Sequence, residues 1–208
     1  MILTKFRKVD KKTKFIRSTH VIYWINIADE LHHSCKVLET DLSHHKIHFL
    51  DIGIDVHYPV VSGSYILLSA YSMENLFKAL LLVEQPELQD EEDIDKILFT
   101  HDLVKLVNES ANVELSEDER NILDTMSKSS TYWSRYPIPR HFSDVLDRVY
   151  IDDKFIEVNR NMYKRIRDII IQLTENGYGG SKGRSRPPMK IEEDDSYFEK
   201  GVNEDLKK

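Results

Sequence analysis

The 208-residue chain has one cysteine and lacks the short motifs that mark the common nucleotide-binding and hydrolytic enzymes. A single cysteine excludes an internal disulfide framework and is typical of a reducing compartment. The chain has no Walker A loop, no GxGxxG fingerprint and no GxSxG elbow. Its basic N-terminus, MILTKFRKVDKKTKF, has no apolar stretch after the charges, so we expect no secretory signal and a cytoplasmic protein.

The chain also lacks an excess of positive charge. Its 36 acidic side chains outnumber 29 Lys and Arg, for a net charge of -7. The protein as a whole therefore has no attraction for nucleic acid, and a nucleic-acid site would have to be a local basic patch. The length is sufficient for one ordinary domain with a substantial core.

The most apolar stretch is residues 63–83, GSYILLSAYSMENLFKALLLV. Its apolar side chains recur at steps of three and four and also cover most of the remaining circumference, which predicts a helix at the centre of a bundle. Ser69, Glu74 and Lys78 interrupt the stretch, and because such groups are costly in lipid, we expect a buried core helix rather than a membrane span. Glu74 and Lys78 stand four residues apart, so an ion pair on the polar edge of this helix is expected.

Helical periodicity organises most of the remaining chain. It predicts helices at residues 17–41, near 94–98, after an N-cap at Thr100, from a Ser116–Glu119 capping box to about 132–135, at 142–149, and from Phe155 to Leu173. Residues 43–59 are expected to form a connection that can include extended segments. The predicted fold is all-α, a single bundle of about five main helices over residues 15–176. A flexible basic arm at 1–14 and a disordered tail at 177–208 are expected to flank it.

Nine histidines raise a metal hypothesis, because His32 and His33 precede Cys35 and three more lie within residues 44–48. However, the chain has no second cysteine, no HExxH motif and no CxxC pair to define a zinc site. Solvated or hydrogen-bonded histidines explain the pattern better, so we expect neither a metal nor a cofactor. Cys35 keeps helical spacing with Leu31 and Leu38 and is expected to lie in the core.

Reactive side chains concentrate in residues 132–141, YWSRYPIPRH, where one predicted helix ends and another begins. Five residues separate Arg135 from His141, and the prolines between them stiffen the backbone. An arginine that holds a phosphate and a histidine that transfers a proton are sufficient to cleave RNA through its own 2′-hydroxyl, without a metal. The alternative is structural: Arg135 caps a helix C-terminus, His141 starts the next helix, and Tyr136 packs.

The apolar run SAYSMENLFKALLL, the segment FTHDLVKLV and the Arg-x5-His segment before a last long helix resemble the HEPN domain superfamily. This resemblance implies an all-α bundle that often works as a homodimer. It also implies a metal-independent ribonuclease of a toxin–antitoxin, phage-defence or stress system, with Arg135 and His141 as the catalytic pair. An antitoxin or a nucleotidyltransferase-type protein would be its partner. The FTHDL segment, which contains His101, looks like a structural hallmark of the family.

Five further residues are candidates for substrate binding. Arg140 and Tyr136 lie beside the expected catalytic pair, and Arg160, Lys164 and Arg167 form a basic stripe on the last predicted helix. Such a stripe is more often a solvated face, but on an acidic protein it is the best candidate for a phosphate-binding strip. A second hypothesis remains: a catalytically silent HEPN-like bundle that binds a nucleotide or a partner protein.

Overall fold

The computed structural model describes residues 11, 20–40, 44–89, 93–131, 151–180, 183 and 185–189. Within these ranges the chain forms helices and two short β-hairpins, and the predicted all-α class is confirmed. The elements follow in the order α1 (Val21–Leu38), β1 (His44–Phe49), β2 (Ile54–Pro59), α2 (Ser62–Glu84), α3 (Leu103–Asn108), α4 (Glu117–Thr131), α5 (Asp153–Thr174), β3 (Tyr178–Gly179) and β4 (Ser185–Arg186). Two 3₁₀ turns, Pro86–Leu88 and Lys96–Phe99, connect α2 to α3.

The apolar stretch forms α2, which lies at the centre of the bundle and packs against α1, α3, α4 and α5. Its apolar side chains meet neighbours on several sides, and Tyr65, Phe77 and Leu80 are fully buried. Among the described helices, α2 has the length and composition of a membrane span, but 78% of its apolar window is buried inside the protein. The expectation of a central core helix is confirmed.

Two details of the helix faces differ from expectation. Glu74 and Lys78 do pair, at 2.5 Å, but both side chains are buried rather than on a polar edge, because neighbouring elements surround α2. On α1, the helical spacing of Trp24, Ile27 and Leu31 predicts that Ile27 is buried, but Ile27 is exposed, whereas Ile25 and His32 are buried. The inward face of α1 is therefore rotated slightly from the one that the apolar residues alone predict.

The helix starts show one confirmed prediction and one correction. Ser116 and Glu119 form the reciprocal capping box, with Glu119 N donating to Ser116 Oγ at 3.2 Å and Ser116 N donating to Glu119 Oε2 at 2.9 Å. The predicted N-cap Thr100 is wrong. Asp102 caps α3 by accepting a hydrogen bond from Lys105 N at 2.9 Å, and Thr100 instead ends the preceding 3₁₀ turn.

The β1–β2 hairpin occupies the connection in which extended segments were expected, and its register pairs His44 with Pro59 and Phe49 with Ile54. The β3–β4 hairpin corrects the expected start of the disordered tail. Gly177, with φ +89°, ends the α5 region as predicted, but Tyr178 is then buried against the bundle. Met189 N also donates to Thr174 O at 3.3 Å. The remainder of the predicted tail, residues 190–208, lies outside the described residues, as do residues 1–10 of the predicted arm.

Candidate functional site

Four of the predicted site residues, Arg135, Tyr136, Arg140 and His141, lie in residues 132–150, outside the described residues. The chain on either side of this segment is described and belongs to the core. Ser129 and Ser130 are buried near the end of α4, and Ile151 is buried just before α5. Ile151 N also donates to Ser62 Oγ at 3.4 Å, which ties this point to the start of α2. The described residues on both sides of residues 132–150 are thus part of the bundle.

The basic stripe of α5 lies within the described residues, and two of its members contact carboxylates of α1 or its C-terminal cap. Arg160 forms an ion pair with Glu39. Arg167 binds Asp29 with two donors, Nε to Oδ1 at 2.9 Å and Nη2 to Oδ2 at 3.1 Å. Lys164, between them in sequence, is exposed. The stripe therefore contributes to the α1–α5 interface through its two arginines.

Asp29 is the centre of a polar cluster in that interface. Besides Arg167, it accepts a hydrogen bond from the Tyr163 hydroxyl at 2.5 Å. The ring of His32 stacks on the ring of Tyr163, with the centroids 3.8 Å apart and the planes 6° from parallel. Burial and, to a smaller extent, the nearby charge of Lys36 together lower the pKa of His32 to about 4. Burial and the Asp29 carboxylate raise the pKa of Tyr163 above its usual range. His32 is therefore a neutral packing residue at neutral pH.

A second polar cluster is buried where α1, α2 and α5 meet. Asn159 Nδ2 donates to Tyr65 Oη and to Ser69 Oγ, both at 3.2 Å, and Cys35 Sγ lies 3.4 Å from the same Ser69 oxygen. Tyr65 in turn donates to Glu39 Oε1 at 2.7 Å. Burial raises the pKa of the Cys35 thiol to about 11, so this thiol stays protonated and unreactive at neutral pH. Cys35 is a core residue, as the sequence predicts.

A third polar cluster opens to solvent. Glu74 holds Lys78 Nζ with Oε1 at 2.5 Å and His101 Nδ1 with Oε2 at 2.9 Å. Glu74 and Lys78 are nearly inaccessible, with 9% of the Glu74 side chain and 6% of the Lys78 side chain exposed, whereas 62% of the His101 side chain is exposed. Lys78 Nζ also lies 5.9 Å from the centroid of the Trp24 ring. A buried carboxylate thus contacts an imidazole that is largely exposed to water.

None of these clusters has the composition of a metal centre: within the described residues, no group of three or more His, Cys, Asp or Glu side chains could hold an ion. In the β1–β2 hairpin, a histidine again pairs with a carboxylate. His48 pairs with Asp55 at 2.6 Å, and Lys46 also contacts Asp55, at 2.7 Å.

Comparisons with protein-family models, with curated proteins and with solved structures find no match for this chain. The sequence did not predict that Asp29 and Glu39 pair with the α5 arginines, or that His101 contacts Glu74. The sequence signal for the carboxylate–arginine pairs was weak, because Asp29 and Arg167 are far apart in the chain and meet only when α1 packs on α5. The Glu74–Lys78 spacing was visible, but the third member, His101, comes from a separate segment.

Proposed function

We propose that this protein is a metal-independent endoribonuclease of the HEPN type, with Arg135 and His141 as its catalytic pair. The observation that supports it most is the burial of the described residues on both sides of residues 132–150, the stretch that contains Arg135 and His141. The segment joins α4 to α5, and buried residues precede and follow it. A segment anchored at both ends can present an arginine and a histidine with defined spacing, and Pro137 and Pro139 restrict its backbone further.

In the proposed reaction the RNA 2′-hydroxyl attacks the adjacent phosphorus. Arg135 stabilises the negative charge that develops on the phosphate oxygens, and His141 removes the proton of the attacking hydroxyl. The P–O5′ bond then breaks, and the 5′ oxygen takes up a proton. The products are a 2′,3′-cyclic phosphate and a 5′-hydroxyl end. Tyr136 and Arg140 would contact the RNA beside the scissile phosphate, and Lys164 is the stripe residue available to a more distant phosphate.

The experiment incubates purified protein with a mixed-sequence single-stranded RNA in the presence of EDTA. We expect cleavage that EDTA does not reduce and that leaves 2′,3′-cyclic phosphate ends. His141→Ala and Arg135→Ala, purified identically, should lose cleavage by at least about 100-fold while melting near the wild-type temperature. Equal cleavage by the wild type and His141→Ala would assign the activity to a contaminant or another site.

A second function, a catalytically silent bundle that binds a nucleotide or a partner protein, is favoured by a different observation. Arg160 and Arg167 form ion pairs with Glu39 and Asp29, so most of the basic stripe is engaged in the fold instead of being available to phosphates. An inactive wild-type protein on every RNA tested would favour this function.

For either function we propose a cytoplasmic homodimer that pairs with an antitoxin or nucleotidyltransferase-type protein. Sedimentation equilibrium of the purified chain tests the dimer: a mass near 24.5 kDa at micromolar concentration would exclude it. Purification of the tagged protein from its native cells tests the partner.

A further inference from the structure

The β1–β2 hairpin lies outside the hydrophobic core of the bundle. Its two strands pair with each other over their whole length, and none of its residues with a described side chain belongs to the core. Within the described part of the chain, no other strand pairs with β1 or β2. A two-stranded hairpin is at best marginally stable in water, whereas three or more strands with an apolar face form a stable sheet. The hairpin would therefore be stabilised by a further strand on one of its edges.

The residues of the hairpin alternate between polar and apolar. The polar positions, all exposed, are His44, Lys46, His48, Asp55 and His57. The positions that alternate with them are His45, Ile47, Phe49, Ile54, Val56 and Tyr58, all apolar except the first. Because alternate residues of a strand share a face, the hairpin has one polar and one apolar face. Leu50 and Ile52 in the turn and Ile54 beside it are also exposed, which adds apolar surface at the tip.

The residue types of the two strands indicate which edge can pair with a second copy of the chain. β1, HHKIHF, has four basic or titratable nitrogen side chains and no carboxylate, so two β1 strands side by side would bring like groups together. In β2, IDVHYP, Val56 has Asp55 on one side and His57 on the other. A two-fold axis through Val56 places Asp55 opposite the partner's His57 and Ile54 opposite the partner's Tyr58. The edge of β2 is thus complementary to its own copy.

The neighbouring registers of β2 against itself lose this match. An axis through Asp55 places two carboxylates opposite each other, and an axis through His57 places two imidazoles opposite each other. An axis between two residues pairs polar positions with apolar ones, because opposite residues of an antiparallel pair lie on the same face. The axis through Val56 also brings Ile52, beyond one end of β2, toward the partner's Val60, beyond the other end, and both residue types are exposed in the single chain.

We propose that β2 is a homodimer interface, in which two copies of the chain pair their β2 strands antiparallel about Val56. The product is a four-stranded sheet in the order β1–β2–β2–β1. The contact is the same patch on both copies, so it closes at two chains, and the strands left at the edges are the histidine- and lysine-rich β1 strands. This inference rests on the proposed homodimer and names its contact surface; it does not depend on RNA cleavage.

A cysteine on the two-fold axis tests the register directly. In Val56→Cys the two introduced residues would face each other with Cα atoms about 4.5–5.5 Å apart, a separation that a disulfide spans. We expect the oxidised variant to run as a covalent dimer on a non-reducing gel and to return to the monomer with reductant. The native Cys35 is the chain's one cysteine and is buried, so the oxidised wild type should show no covalent dimer.

Two matched cysteines serve as controls. Ile54→Cys lies on the same strand and face, but the two copies of residue 54 would be about 13 Å apart along the sheet, too far for a disulfide. Ile47→Cys lies opposite Val56 within the hairpin, on the outer strand of the proposed sheet. Neither variant should form a covalent dimer. A mixture of Ile54→Cys with Tyr58→Cys should form one, because these two positions face each other across the interface.

A charge on the axis tests the same interface without oxidation. Val56→Lys places two lysines directly opposite each other, and we expect it to raise the Kd of the dimer at least about 10-fold in sedimentation equilibrium. His44→Lys adds a positive charge at an exposed position of β1, away from the axis, and should leave the Kd unchanged. Both variants should melt near the wild-type temperature, because the hairpin lies outside the core.

The outcomes separate this interface from the homodimer itself. A dimeric wild type whose Val56→Cys variant forms no covalent dimer would overturn the β2 interface and leave the homodimer in place. Covalent dimers of Ile54→Cys or Ile47→Cys as abundant as those of Val56→Cys would do the same, as would an unchanged Kd for Val56→Lys. A wild type with a mass near 24.5 kDa at micromolar concentration, together with no covalent dimer of Val56→Cys, would overturn both.

Discussion

His32 shows how one residue can make stability depend on pH. In the unfolded chain its pKa is near 6.5, and burial against Tyr163 lowers it to about 4 in the folded protein. Between these values the unfolded state binds more protons than the folded state, so protonation favours unfolding. The neutral, fully stable form is present above pH 6.5, and stability is lost as the pH falls toward 4.

We expect the free energy of unfolding attributable to His32 to fall by about 2 kcal/mol between pH 7 and pH 5. The measurement is urea unfolding at both pH values for the wild type and for His32→Phe, which keeps a ring on Tyr163 but cannot titrate. The wild type should lose more stability than the variant on acidification. Parallel losses in the two proteins would show that His32 is not the responsible group.

Arg167 and Lys164 lie three residues apart on α5, yet they should respond differently to truncation. Arg167 makes a two-donor contact with Asp29, and its side chain is only 12% exposed. Arg167→Ala leaves a partly buried carboxylate without this partner, and we expect a loss of about 1–3 kcal/mol. Lys164→Ala, on the exposed face, should change stability by less than about 0.5 kcal/mol. Urea unfolding of the wild type and of both variants measures these two losses.

Lys164→Ala also tests whether the basic stripe of α5 binds phosphates or only stabilises the fold. If Lys164 contacts RNA, Lys164→Ala should weaken RNA affinity without changing stability and should reduce its salt dependence. Unchanged affinity and salt dependence in fluorescence-anisotropy titrations of this variant would leave the stripe with its role in the α1–α5 interface alone.

Among the elements, α2 carries the largest share of the core, and its apolar circumference explains why. Leu80 is fully buried, whereas Leu173 of α5 is 36% exposed at the rim. Leu80→Ala removes apolar contacts and leaves a cavity, so we expect a loss of about 2–5 kcal/mol. Leu173→Ala, which removes the same atoms from a partly exposed site, should cost about 1 kcal/mol or less. Similar losses for the two, by chemical denaturation, would contradict the central position of α2.

At the scale of the whole molecule, the β3–β4 hairpin determines how much stability should be lost when the C-terminal part of the chain is removed. Tyr178 is buried, its hydroxyl lies 3.2 Å from both ring nitrogens of His20, and Gly179 approaches Pro86 so closely that a Cβ there would lie 2.9 Å from Pro86 Cγ. The hairpin thus joins the C-terminal side of α5 to the start of α1 and the end of α2.

Two truncations measure this contribution. Removal of residues 178–208 loses the burial of Tyr178 and should lower stability by about 2–3 kcal/mol, or about 5–10 °C in Tm for a domain of this size. Removal of residues 190–208 alone should leave Tm nearly unchanged, as their low apolar content predicts. Tyr178→Ala in the full chain should reproduce most of the larger loss. Equal Tm values for the two truncations would show that the hairpin adds nothing to the fold.

The sequence by itself determined the class of the fold and the main helices that the structure describes, because these depend on local patterns; the predicted helix at residues 142–149 lies outside the described residues. The capping box at Ser116 and Glu119, the continuous apolar surface of α2 and the stop at Gly177 each involve residues within one or two helical turns. Local patterns of this kind also predicted that Cys35 is buried and that Glu74 pairs with Lys78. The Arg135–His141 pair remains a prediction from sequence, since its residues lie outside those that the structure describes.

Tertiary structure alone decided which polar groups meet. Asp29 is joined to Arg167, Glu39 to Arg160 and His101 to Glu74 only when segments distant in sequence pack together. It also decided that Glu74 and Lys78 are buried and that Tyr178 docks on the bundle, because burial depends on what covers a face and not on the pattern of the face itself. The helical period of a sequence predicts which side of a helix is apolar. Which residues cover that side depends on how the whole chain packs.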